Sequence, residues 1–256
     1  MVDCLHVKQT GAAQGANTIP MTMATKRSYD DGCAAAHALD LIGERWALLI
    51  VRELLLGPKR FTALRAGLPS ISPNVLTQRL NELDTAQVLQ RRKLPPPASA
   101  WVYELTDWGK ALEPIVLQLA HWGVRSPAFQ RGAPLGVDAL MLSFKAMFNP
   151  AAASHGNIHL TIELHFGDEV FSARVDGKQL HINRGQAVKP AAILSADPQT
   201  LLYLAYGKFD IDETVQTGRF SYTGERSALV SFFSVFALPE PAAQQAAGAT
   251  SRLTHP

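Results

Sequence analysis

Cysteine is nearly absent from this chain, with only Cys4 and Cys33 in 256 residues. Two thiols are too few for a disulfide framework, so the cytoplasm is the expected location. Long apolar runs are missing too: no stretch approaches the roughly 20 apolar residues that span a bilayer, and no membrane partner is expected. Charge is balanced, 24 Lys and Arg against 22 Asp and Glu, which excludes general stickiness toward polyanions. No Gly-rich phosphate loop, carboxylate pair in a catalytic setting or Ser/His/Asp order is present, so the chain reads as a non-enzyme without a cofactor. Nor do the histidines offer a metal site. His159 and His165 sit six residues apart on one expected strand, about 20 Å at about 3.3 Å per residue, and cannot share an ion.

What the chain does contain is a capped helix with two contrasting faces. Over 71–86, Ser72 is placed to accept from free backbone amides, and Pro73 fits the first helical position. Leu76, Leu80 and Leu83 fall on one stripe, while Asn74, Gln78, Asn81 and Thr85 fall opposite. That outer row is polar yet uncharged. Short amides and hydroxyls read base edges in a major groove, so Asn74, Thr77 and Gln78 are the expected base-reading residues of double-stranded DNA.

The flanking sequence supplies the rest of a DNA-binding unit. Two apolar-periodic segments, 38–42 and 46–56, precede a Gly57-Pro58 turn and a short helix over 59–66; strand-like 88–94 and 101–106 follow, separated by a proline-rich loop at 95–99. Helix, helix, helix, hairpin is the order of a winged helix-turn-helix. Between Gly57 and Lys93 seven basic residues face only two acidic ones, a local excess that marks phosphate contact. Lys59, Arg60, Ser72, Arg79, Arg91, Arg92 and Lys93 are the expected phosphate set, with Arg79 nearer the buried stripe and able to turn inward to a carboxylate.

The run Cys33, Ala38-Leu39-Asp40-Leu41-Ile42-Gly43, Arg45-Trp46 and Arg52-Glu53-Leu54 resembles the MarR-like HxlR-type winged-helix regulators. So does its continuation through Arg60-Phe61, Leu64, Ile71-Ser72, Leu76, Arg79-Leu80, Leu83, Tyr103-Glu104-Leu105-Thr106 and Gly109. The resemblance implies a homodimer on a two-fold operator, with the helix around 35–42 and the one after the hairpin at the interface. In that last helix, from Asp107 to Gly123, Leu112, Val116, Leu119 and Trp122 form the apolar stripe. Its alternative use is to cover the unit's own core. Pro114 should bend or break this helix. Family members include thiol-based sensors, which makes Cys33 a redox candidate; Ala34 stands where many members have Pro.

Periodicity stops between Ser126 and Pro134, and a different pattern begins. A helix over 135–148 is followed by an alternating strand at 157–166. Strands at 170–175 and 180–183 then join through Asp176-Gly177, and a strand at 191–195, a helix at 199–206, a strand at 220–222 and a helix at 225–237 complete the series. Asp197-Pro198, Leu201-Leu202, Gly207, Gly218-Arg219-Phe220 and Gly224 resemble the carboxy-terminal half of sterol-carrier-protein-2-like domains. That resemblance implies an α/β sandwich with a five-stranded sheet and an apolar cavity, for which Leu229, Phe232, Phe233 and Phe236 are the lining candidates; their alternative is ordinary core. The expected class is therefore α+β. Residues 1–28 form a mobile arm with Met21 or Met23 as alternative starts, 29–126 the winged helix-turn-helix, 134–238 the ligand-binding domain, and 239–256 a mobile tail. A dimeric regulator, most simply a repressor, responding to an apolar small molecule is the leading expectation. The alternatives are a constitutive regulator with a structural second domain, and a lipid carrier whose winged helix binds protein.

Overall fold

The computed structural model of the chain describes residues 28–130 and 132–242. Cys4, Met21, Met23, the arm up to residue 27 and the tail beyond 242 lie outside them. The order of elements opens α1 (Ala34–Ile42), α2 (Ala47–Leu54), α3 (Phe61–Gly67), α4 (Pro73–Thr85), β1 (Leu89–Lys93) and β2 (Trp101–Leu105). These are the three helices, reader helix and hairpin of a winged helix-turn-helix. Lys59 exchanges both backbone bonds with Tyr103, at 2.9 and 2.8 Å, which fastens the turn before α3 to the wing. Ile50, Val51, Leu64, Leu76, Leu80 and Leu89 are fully enclosed in a first apolar core.

The expected helix after the wing is two helices, α5 (Asp107–Lys110) and α6 (Glu113–Gly123). Thr106 caps the first by accepting from the Gly109 amide at 3.0 Å. Gly109 must lack a side chain, because a Cβ would stand 1.9 Å from the Val88 carbonyl. Pro114 lies in the first turn of α6, where a missing amide proton costs nothing, so it starts a helix instead of bending one.

The second half holds α7 (Val137–Met147), α8 (Pro150–His155), β3 (His159–Phe166), β4 (Glu169–Asp176), β5 (Gln179–Arg184), β6 (Ala192–Ala196), α9 (Pro198–Ala205), α10 (Ile211–Gln216), β7 (Phe220–Gly224) and α11 (Arg226–Ser234). The short α8 and α10 escaped the sequence reading. Both are marked by caps, Asn149 before Pro150 and Asp210 accepting from Asp212 and Glu213. The five strands run in the order β5-β4-β3-β6-β7, antiparallel except for β3 beside β6. Gly177, at φ +59°, turns β4 into β5.

Register places Ile162 between Ala173 and Ala192, and Leu164 between Phe171 and Leu194. All six are buried, so one face of the sheet is apolar, and α11 packs on it across β3 and β6. The opposite face carries Thr161, Arg174 and His181. Phe144 of α7 meets Phe232 of α11 and Phe236 just beyond that helix at ring centroids 6.0 and 4.6 Å apart. The expected cavity beneath Leu229, Phe232, Phe233 and Phe236 is thus corrected: these side chains pack against one another and fill the interior as core.

The halves meet where α7 lies against α2 and α6. Residues 239–242, expected at the start of the tail, return along the end of α6: Arg125 Nε donates to the Glu240 carbonyl, and the Ala242 amide to the Arg125 carbonyl, each at 2.9 Å.

Candidate nucleic-acid interface

The reader helix α4 begins as its sequence dictates. Ser72 Oγ accepts from the Val75 amide at 3.3 Å, Pro73 occupies the first turn, and Leu76, Leu80 and Leu83 lock the inner face into the core. Asn74, Thr77, Gln78 and Asn81 are exposed. Thr77 Oγ1 donates to the Pro73 carbonyl at 2.9 Å, which leaves its oxygen and methyl outward. Gln78 Nε2 donates to Glu82 at 2.9 Å, so any outside partner of this amide would have to displace an intrahelical one.

Arg79 turns inward, as its place beside the stripe suggested. Its guanidinium meets Glu44 at 2.8 Å, Glu82, and the Arg45 carbonyl at 3.2 Å. It ties α4 to the end of α1, which removes it from the phosphate set. Lys59 is the larger correction. Its side chain is only 10% exposed and its ammonium sits between Glu53, at 2.7 Å, and Asp138 of α7, so a phosphate would have to compete with two carboxylates already in place.

The remaining cations lie outward on α3 and the wing. Arg60, Arg65 and Lys93 are exposed and make no ion pair among the described residues. Arg91 lies over the Trp101 ring at 4.7 Å, a stacking that holds the guanidinium extended while its edge stays free. Arg92 is half-committed, paired to Glu104 across the hairpin at 2.7 Å. Arg65 was missing from the expected set; its exposed position near the end of α3, opposite buried Leu64, is the signal.

The stripe of the last helix divides. Leu112 and Val116 are partly buried and pack against the unit's own core, the alternative use of the stripe. Leu119 and Trp122, by contrast, are 47% and 73% exposed, and Ile115, which the stripe omitted, is 49% exposed. Spacing alone would have found it, since 115, 119 and 122 are four and seven residues apart. An adjoining groove of about 260 Å³ runs between α1 and α5, lined by Leu41, Ile42, Trp108 and Ile115.

Cys33 is exposed at the start of α1, where the Ala36 and then the Ala35 amides hold its thiol below the ordinary range. The thiolate is the nucleophile. Alkylation by iodoacetamide is therefore expected to rise with pH about a midpoint lower than that of free cysteine; an equal or higher midpoint would show that these amides give no such help.

Comparison with known proteins bears on the same elements. The family model for the HxlR-like helix-turn-helix matches residues 41–128. The chain is 40% identical over 94 residues to the HTH-type transcriptional regulator YvaP of Bacillus subtilis (strain 168), a stretch that is 36% of this chain and 87% of YvaP. It is 36% identical over 85 residues to the HTH-type transcriptional regulator YodB of the same organism, 33% of this chain and 76% of YodB. Among solved structures, the redox regulator HypR in its oxidized form aligns at 36% identity with a TM-score of 0.34, covering 36% of this chain and 94% of that one.

Proposed function

The chain belongs to the HxlR-like helix-turn-helix family, and from that premise we propose a dimeric transcriptional repressor that reads a two-fold operator with α4 and answers to a small apolar molecule through its second half. The observation that carries the reading is the build of α4. A helix capped by Ser72, clamped from below by three leucines and edged by free cations offers an uncharged polar row to the outside, and such a row suits base edges better than solvent. In this reading Asn74, Thr77 and Gln78 contact bases, while Arg60, Arg65, Arg91 and Lys93 hold phosphates.

Dimerisation through α6 and α1 is supported by the exposed row Ile115, Leu119 and Trp122 with Leu39 on the neighbouring helix, because soluble monomers seldom present so much contiguous apolar surface without a partner. The second half takes the sterol-carrier-protein-2-like reading from its strand order and from helices gathered on the apolar face. A constitutive regulator is the rival, favoured by the filled core around Phe232.

Binding to the DNA upstream of the chain's own gene tests the proposal. Arg91→Ala is expected to weaken operator and random DNA alike and to lower the salt slope by about one unit. Gln78→Ala is expected to erode the preference for operator by about 1–3 kcal/mol and leave random-sequence affinity nearly intact. A uniform loss in Gln78→Ala would take that residue out of base reading, and absence of any operator preference in the unaltered chain would sink the regulator.

A further inference from the structure

A cavity of about 200 Å³ lies where the two halves join. It is lined by Val124 and Phe129, which follow α6, and from the second half by Leu135, Ser143, Leu202, Tyr206 and Lys208. The lining is mainly apolar, but the polar groups are specific. Ser143 Oγ and the Tyr206 hydroxyl are 2.7 Å apart. Two hydroxyls that share one hydrogen bond use one hydrogen between them and leave the other to donate. Burial pushes the Tyr206 hydroxyl up to about 12, against a smaller opposite pull from Ser143, so it stays protonated and remains a donor. Lys208 is exposed and makes no ion pair among the described residues. A spare hydroxyl hydrogen and an uncommitted ammonium both call for an acceptor.

Volume selects the rest of the ligand. An apolar cavity of about 150 Å³ takes benzene, and drug-sized ligands need about 300–1,000 Å³. The space here suits one ring with a short substituent and is too small for a sterol or a long acyl chain. We propose that this cavity is a binding site for monocyclic aromatic carboxylates, with the ring against Phe129, Leu135 and Leu202 and the carboxylate held between Lys208 and the Ser143–Tyr206 hydroxyl pair. The site rests on the regulator reading only for its consequence. Val124 belongs to the segment that directly follows α6, so occupancy bears on the helix proposed to dimerise.

Isothermal titration of the full chain with phenylacetate, toluene and octanoate tests this. Phenylacetate is expected to saturate at one per chain and to bind more tightly than octanoate. Lys208→Ala, an exposed position that leaves the fold intact, is expected to weaken phenylacetate about tenfold and to leave toluene unchanged. Leu202→Trp, checked for folding by circular dichroism, is expected to abolish both by filling the cavity. No saturable phenylacetate binding, or binding indifferent to Lys208→Ala, overturns the site. Operator binding by the ligand-free chain separates the two readings: operator bound without phenylacetate binding defeats this site alone, and phenylacetate bound without an operator defeats the regulator alone.

Discussion

Leu119→Glu is expected to convert the proposed dimer into folded monomers with little operator affinity. In a single chain the Leu119 side chain is half exposed between Ile115 and Trp122, so a carboxylate there remains hydrated and the fold tolerates it; surface changes of this kind usually stay within about 0.5 kcal/mol. In a two-fold interface the same residue appears twice, and each copy would bring a charge into apolar contact without a partner, a cost of several kcal/mol. Affinity then collapses, because one reader helix on one half-site must hold the protein alone. Sedimentation velocity reads the mass, and a melting temperature close to the unaltered chain's separates dissociation from unfolding. Val116→Glu supplies the contrast. That residue packs on the core of its own winged unit, so the substitution should lower stability first. An unchanged dimer in Leu119→Glu would move the interface off α6.

Where structure was legible in the sequence, the cause was local. Ser72, Pro73 and the leucines at 76, 80 and 83 specify α4 within fourteen residues, and alternation with a Gly177 turn specifies β3 to β5 in the same way. The candidate site was legible only as residue types. Nothing near Lys59 in the chain reveals that it is buried, since Asp138, one of its two carboxylates, lies 79 residues on. Arg79 pairs with Glu44 across 35 residues, and only its nearness to the leucine stripe hinted at an inward turn. The phenylalanines of α11 and of the residues just after it illustrate the opposite limit. Their density was plain, but whether Leu229 and the three phenylalanines surround a void or fill one depends on Phe144 from another helix. The cavity at the junction of the halves is drawn from several separate segments, and nothing in the periodicity of one segment shows which others it meets.

Removing the carboxylate of Asp138 should be the most destabilising single change in the chain's polar structure. Asp138, 5% exposed, receives both Lys59 and Arg184, and Glu53, 2% exposed, shares Lys59 and receives Arg52 at 2.8 Å. These groups join α2 and the turn before α3 to α7 and β5, so they bridge the two apolar cores. Desolvating such charges is costly, and their mutual attraction offsets that cost only while every one is paired. Asp138→Ala leaves Lys59 with half its counter-charge and strands one arm of Arg184, for an expected loss of about 3–5 kcal/mol. Urea unfolding measures it. Because the cluster lies between the cores, the unaltered chain is expected to unfold in one transition and Asp138→Ala in two, with the weaker half melting first. The double variant Lys59→Met with Asp138→Leu removes one charge of each sign and leaves Glu53 with Arg52 and Arg184 with Glu169, so it should be less destabilised than the two single losses added together. A loss below about 1 kcal/mol in Asp138→Ala would mean that water reaches these groups as it does an ordinary surface pair, and that the halves are held together by the apolar contact of α7 with α2 and α6 instead.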